Sequence, residues 1–172
     1  MSSDEQLVER IARGDRAAFD ELYRRTAPWL ALRLLRRCAD EEVVAEVMQE
    51  SYVTVWRASG SFAGAGSAAG WLWTIAARRL IDAFRRRGRE LTVAAVPDAP
   101  APSAEDEVLH DELDGRLAAE LARLSPELCE VLRALVLDGL SVRETALLLG
   151  LPEGTVKTRA RRARIALREA LT

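Results

Sequence analysis

The chain has 172 residues, 49% of them hydrophobic and 30% charged, with 25 Lys and Arg against 27 Asp and Glu for a formal charge of −2. That length and apolar content suffice for one or two compact domains and exclude a chain disordered throughout. The near-neutral balance excludes a whole-molecule field as the source of any affinity for a polyanion, which must come from local patches of Arg and Lys.

No run of about 18 apolar residues is present, and the start "MSSDEQLVER" is acidic where a secretory signal is basic and then apolar. A cytoplasmic protein without membrane insertion is therefore expected. Cys38, Cys129 and the single His110 have no metal-ligand spacing, so neither metal nor other cofactor is expected. The two cysteines read as ordinary thiols, with redox sensing the alternative.

Ala, Leu, Arg and Glu dominate and alternating β-branched runs are nearly absent, which predicts an all-α chain. A first helix starts near Ser3, with Gln6 three residues on to complete a capping box, and ends before Gly14. Asp15 caps a second helix carrying Phe19, Leu22 and Tyr23, which Pro28 is expected to bend or interrupt before Leu30 to Arg37. A third runs from about Asp40 to Ala58, with Val44, Val47, Met48, Val55 and the ring of Trp56 near helical spacing. "SGSFAGAGSAAG" is too rich in Gly and Ser to continue it, and "WLWTIAARRLIDAFRRR" resumes a helix.

The three prolines of "ELTVAAVPDAPAPS" mark a linker. The expected architecture is two small helical domains, 1–87 and 105–172, joined by a flexible linker over 88–104. "AEDEVLHDELDG" follows, either a solvated helix with Val108, Leu109, Leu113 and Leu117 on one stripe, or an acidic arm shielding basic faces. Ser125 as cap and Pro126 at the first helical position then open "ELCEVLRALVL", which Asp138-Gly139 ends. Ser141 and Glu144 form a capping box for "VRETALLL", "GLP" turns the chain, and a last helix runs from about Glu153 to Leu171. Helix, three-residue turn, helix is the pattern of a helix-turn-helix.

At 100° per residue, Val156, Ala160, Ala163, Leu167 and Ala170 form one stripe of that last helix, while Lys157, Thr158, Arg161, Arg162 and Ile165 face the other way. Such a helix fits the major groove, where Arg and Lys meet guanine edges or phosphates, and small inner residues allow close seating on a scaffold. Gly154 and Thr155 are expected to offer free amides at the positive end of the helix dipole, which favours a phosphate. The other reading is a solvated basic surface.

Earlier in the chain, Trp71, Thr74, Arg78 and Arg85 share one helix face, and Leu72, Ala76, Leu80 and Ala83 another. Rings interleaved with cations suit a separated strand, since a base stacks on a ring while Arg holds the backbone. The small-residue loop around Phe62 has room to close on one extruded base, or is merely a connector.

"LVERIARGDRAAFDELYRRT", "VMQESYVTVWRA", "GWLWTIAARRLIDAFRRR" and "LSVRETALLLGLPEGTVKTRARRARIALREAL", in this order, resemble bacterial RNA polymerase sigma factors of the extracytoplasmic function (ECF) type. The resemblance implies a first domain similar to sigma region 2, which binds core polymerase and opens the −10 element, and a second similar to region 4, which reads the −35 element. By motif position it places Glu46, Gln49, Glu50 and Trp56 in the helix that docks on the β′ clamp helices. Gln49-Glu50 matches the family's usual Gln-Glu pair, and Ala45-Glu46 matches its Glu-Asp pair loosely. Ser61 to Ala69, with Ser61 and Phe62, matches the loop that cradles the flipped −10 base, and Trp71 to Arg79, with Thr74, Arg78 and Arg79, the strand-separation helix. Many relatives have Arg-Asn where this chain has Ala77-Arg78. Thr155, Lys157, Thr158, Arg159, Arg161 and Arg162 match the −35 reading positions. The resemblance further implies the β flap as a second polymerase contact and an anti-sigma factor as a regulator, with promoter DNA bound as duplex and as single strand.

Three rivals remain at this point. An operator-binding helix-turn-helix regulator leaves the Gln49-Glu50 helix and the Trp71 to Arg85 face unexplained. A sigma mimic that sequesters an anti-sigma factor needs no basic reading helix, which this chain keeps. An enzyme is not expected, because Glu41-Glu42 and Asp111-Glu112 are adjacent in sequence, diverge around a helix and have no supporting His.

Overall fold

The structure, a computed structural model, describes residues 2–62, 66–87 and 115–171, with only the backbone described at 115–118 and 171. Every regular element among the described residues is helical, as the composition predicts. The chain divides into two compact units, Met1–Gly88 and Arg89–Thr172. The linker over 88–104, the acidic stretch with Val108, Leu109 and Leu113, His110, and the side chain of Leu117 lie outside the described residues.

In the first unit, α1 (Asp4–Ala12) starts on the predicted capping box: the Ser3 hydroxyl accepts from the Gln6 amide at 3.3 Å and the Gln6 side chain accepts from the Ser3 amide at 3.0 Å. The box satisfies two amides that the helix cannot. Gly14, at φ +86, turns the chain, and the Asp15 carboxylate caps α2 (Arg16–Leu35) by accepting from Ala18 N at 3.1 Å.

Of the bend or interruption expected at Pro28, the interruption does not occur, and α2 continues through it. Proline removes one intrahelical bond and crowds the preceding turn. Burial on its far side offsets that: Leu30 and Leu34 are both 0% exposed, and each such side chain is worth about 1.5–3 kcal/mol. Just before the proline, the Thr26 hydroxyl donates to the Leu22 carbonyl at 2.7 Å and shares a bond of 2.7 Å with the buried Tyr52 hydroxyl of the next helix.

That helix, α3 (Glu41–Ala58), is capped by Asp40, whose carboxylate accepts from the amides of Glu42 and Val43. Val43, Val44, Val47 and Val55 are buried, whereas Trp56 lies at the surface with its ring edge-on to Phe19. A tight turn at Ser59–Ser61 closes α3. α4 (Ala68–Arg87) begins three residues before the expected Trp71, because Ser67 caps it by accepting from Gly70 N at 2.9 Å. Leu72, Ala76, Leu80 and Ala83 are buried as the periodicity predicts, joined by Trp73, Ala77, Ile81 and Phe84. The Arg33 guanidinium of α2 covers the Trp73 ring at 3.8 Å. α4 packs on α1, α2 and α3.

The second unit holds α5 (Gly115–Arg123), α6 (Pro126–Leu132), α7 (Val142–Leu149) and α8 (Glu153–Leu171). Ser125 stands at the cap of α6 without using its hydroxyl there. Its carbonyl accepts from the amides of Leu128 and Cys129, and Pro126 at the first position has no donor to satisfy. α6 widens into a π-helical turn at Arg133–Leu137, where Asp138 N donates to the Arg133 carbonyl, five residues back. The Ser141–Glu144 capping box forms with bonds of 2.8 and 3.1 Å, and Gly150 ends α7 at φ +65.

α8 is held by two apolar groups. Val156 and Ala160 meet Val131 and Ala146, with Leu135, Val142, Leu149 and Leu151 around them, and Ala163 meets Leu121 and Leu132, flanked by Leu124, Leu128 and Leu167. Ala170, expected on the same stripe, is exposed because the helix has passed beyond the elements it packs on.

Candidate nucleic-acid interface

The two faces of α8 are sharply unlike. Val156, Ala160 and Ala163 are at most 4% exposed, while Lys157, Thr158, Arg161, Arg162 and Ile165 are exposed. Buried alanines bring the helix axis close to the scaffold, so the opposite face stands proud as a major-groove reader requires. The Thr158 hydroxyl donates to the Gly154 carbonyl at 2.9 Å, which leaves its lone pairs outward.

Two of the six positions matched to −35 reading differ from the rest. Arg159 is turned toward the scaffold, its guanidinium 3.0 Å from the Glu127 carboxylate of α6. Thr155 is half-buried, and its amide donates to the Pro152 carbonyl at 3.0 Å, so the expected free amide at that residue is absent. A carbonyl three residues back captures it in a 3₁₀-type bond, a common tightening of a helix start.

In the first unit, Phe62 follows the Ser59–Ser61 turn and its ring lies 5.3 Å from that of Trp71, tilted by 52°. Ser61 is exposed with its hydroxyl donating to the Ala58 carbonyl at 2.7 Å. Residues 63–65 of the expected base-cradling loop lie outside the described residues. Along α4, Trp71 and Thr74 are half-buried and Arg78 is exposed, on the one face that the spacing predicts. Arg79 points elsewhere: it donates to the Thr54 hydroxyl of α3 at 3.0 Å and helps to fasten the two helices.

The residues matched to polymerase docking lie along one side of α3. Gln49 and Trp56 are exposed. Glu46 is bridged to Arg86 and Arg87 of α4 at 3.4 Å each, and Glu50 to Arg86 at 3.6 Å. These pairs are half-exposed and individually worth little, but they hold the carboxylates in a row. Three neighbours of these residues were not singled out from sequence: Val53, 42% exposed between Gln49 and Trp56, and the two arginines. The i, i+4, i+7 spacing of Gln49, Val53 and Trp56 is the signal that finds the first. Tyr23, 46% exposed, sets its ring edge-on to the buried Tyr52.

Among the described residues no cluster of His, Cys, Asp and Glu has the makings of a metal site, and no helix is long and apolar enough to cross a membrane. The arrangement suits binding: an acidic and apolar strip on α3, a paired-ring and cation face on α4, and an exposed basic face on α8.

Comparison with known proteins gives two regions in the same order. Residues 22–90 match sigma-70 region 2, and residues 114–167 match sigma-70 region 4. The chain is 31% identical to the RNA polymerase sigma-H factor of Pseudomonas aeruginosa, over 98% of this chain and 93% of that protein. It is 32% identical to the ECF RNA polymerase sigma factor SigM of Mycobacterium tuberculosis, over 98% and 85%. To the ECF RNA polymerase sigma-E factor of Haemophilus influenzae the identity is 31%, over 94% and 92%. With both regions present in order and such relatives matched over most of their length, the chain belongs to the sigma-70 family of RNA polymerase sigma factors, in its ECF type.

Proposed function

We propose that this sigma factor directs promoter-specific initiation through three surfaces. Glu46, Gln49, Glu50 and Trp56 of α3, with Val53 among them, dock on the β′ clamp helices of core RNA polymerase, and the second unit meets the β flap. Ser61, Phe62, Trp71, Thr74 and Arg78 take the separated −10 strand, with Arg79 supporting them from the α3 side. Lys157, Thr158, Arg161 and Arg162 read the −35 duplex, with Thr155 and Arg159 setting the seat of α8. The domains of this reading are 1–87 for the polymerase and the −10 element and 105–172 for the −35 element, with 88–104 between them.

The order of events follows from what each surface binds. Core polymerase holds the first unit, α8 docks upstream, and the strand that opens is trapped at the Phe62 and Trp71 rings. Bond-making stays in the polymerase, so this chain is a regulator and not an enzyme, acting in the cytoplasm. An anti-sigma factor that covers the α3 or α8 surface would hold it inactive.

The observation that carries the reading is the two-faced α8, buried through Val156, Ala160 and Ala163 and presenting Lys157, Arg161 and Arg162. Charge reversal at Arg161 and Arg162 tests it. Promoter-specific transcription should vanish while core binding persists; loss of core binding instead would refute the assignment of surfaces.

A further inference from the structure

We infer that Glu5 is a positioning residue for strand opening, its α1 carboxylate fixing the start of α4 and with it the Phe62–Trp71 ring pair. This rests on the proposed −10 role of that pair.

Glu5 lies outside the span matched to region 2, which begins at residue 22. Its carboxylate nevertheless reaches across 63 positions of sequence to accept a hydrogen bond of 3.0 Å from the amide of Ala68, the first residue of α4. The first amides of a helix have no partner within it, and the positive end of its dipole favours an anion there. Ser67 supplies one acceptor, to Gly70 N at 2.9 Å, and Glu5 supplies a second from a different helix. Glu5 also sits in the first turn of α1 itself, so one carboxylate serves two helix starts. The Ala68 amide, more than any other group, holds this carboxyl below its usual range, with its own amide and the Ser3 hydroxyl adding and burial opposing.

The geometry beyond Ala68 gives the bond its functional weight. Trp71 is three residues on, its amide donating to the Ser67 carbonyl at 3.0 Å, so its ring is placed by the turn that Glu5 pins. On the other side of the loop, α1 packs against the Ser59–Ser61 turn that delivers Phe62. α1 thus touches both ends of the segment that carries the two rings, which lie 5.3 Å apart.

The experiment uses holoenzyme made from core polymerase and the full chain, on a promoter recovered with the unaltered protein. Glu5→Ala removes the acceptor, Glu5→Gln keeps an oxygen in place without the charge, and Ala68→Pro removes the donor at a position where helices accept proline. Open-complex formation on duplex promoter should slow about tenfold with Glu5→Ala and with Ala68→Pro, within the range that a misplacement of ~1 Å costs. Core affinity should be unchanged, the deficit should shrink on a template already unpaired at the −10 element, and Glu5→Gln should restore most of the rate. Unaltered opening by Glu5→Ala would overturn the inference. So would an equal loss on both templates together with lost core binding, which would make the carboxylate a matter of folding alone. Failure of the underlying −10 reading looks different: Phe62→Ala and Trp71→Ala would open the duplex promoter at the unaltered rate.

Discussion

The Arg159 guanidinium meets the Glu127 carboxylate of α6 at 3.0 Å, which draws this cation of α8 away from the row of Lys157, Arg161 and Arg162. Helical spacing puts Lys157, Arg161 and Arg162 on one side, and the family resemblance adds Arg159 to them. The pairing separates one cation that meets the scaffold from three that stay exposed.

The split is measurable. Arg159→Ala should lower the stability of the second unit by at most about 1 kcal/mol, the usual worth of a pair whose acid is largely exposed, and a double-mutant cycle with Glu127→Ala should recover that coupling. Arg161→Ala should leave stability unchanged and cost about 1–3 kcal/mol of −35 affinity if it meets a base. Thermal melting by circular dichroism and DNA titration separate the two.

Salt dependence distinguishes base-reading from phosphate-binding cations on the exposed face. A substitution that removes one phosphate-bound cation should reduce the slope of log K against log salt by about 0.9. Lys157→Ala and Arg162→Ala, titrated between low and moderate salt on matched and mismatched duplexes, should each either flatten the slope or relax specificity at one position. A variant that does neither marks a side chain that does not touch DNA.

On α3, Val53→Asp should weaken core polymerase binding at least about tenfold, since it places a charge in the middle of a small apolar patch that docking must desolvate. Its 42% exposure means that the fold tolerates the change, and the melting temperature should stay within about 2 °C. Trp56→Ala should act in the same direction, and it also removes the edge-on packing against Phe19.

Acid should destabilise the first unit. Glu5, Asp15 and Glu21 are held below the ordinary carboxyl range, chiefly by the Ala68 amide, the Ala18 amide and the Arg25 side chain respectively. A carboxyl whose pKa is lower folded than unfolded contributes stability above its unfolded pKa and loses it as pH falls through the folded one. Stability should therefore be level down to about pH 5 and decline below it. At the other end, burial pushes the Tyr52 phenol up to about 12. Its contribution is complete below about pH 10 and is lost as pH rises through the folded value. All four tryptophans, at 29, 56, 71 and 73, lie in the first unit, so their fluorescence follows it selectively in the full chain.

What could be read from sequence was what is decided locally. The Ser3–Gln6 and Ser141–Glu144 boxes, the Asp15 cap and the Gly150 turn each depend on residues within four positions. The two faces of α8 follow from helical period alone. Less legible was what distant residues decide: α2 runs on past Pro28 with Leu30 and Leu34 buried, and Glu127 pairs with Arg159 from another helix. Thr54, 25 residues from Arg79, likewise accepts a hydrogen bond from that cation and ties α4 to α3. Ser67 was a local signal for an earlier start of α4, hidden among the glycines and alanines around it.

The most direct measurement is run-off transcription by purified core polymerase on a pool of upstream fragments, with and without this protein. The account predicts start sites that arise only in its presence, sharing elements near −10 and −35, and lost on reversing Arg161 and Arg162. No new starts, together with no binding to core polymerase, would contradict it and leave a helix-turn-helix protein that acts on DNA or on an anti-sigma factor alone.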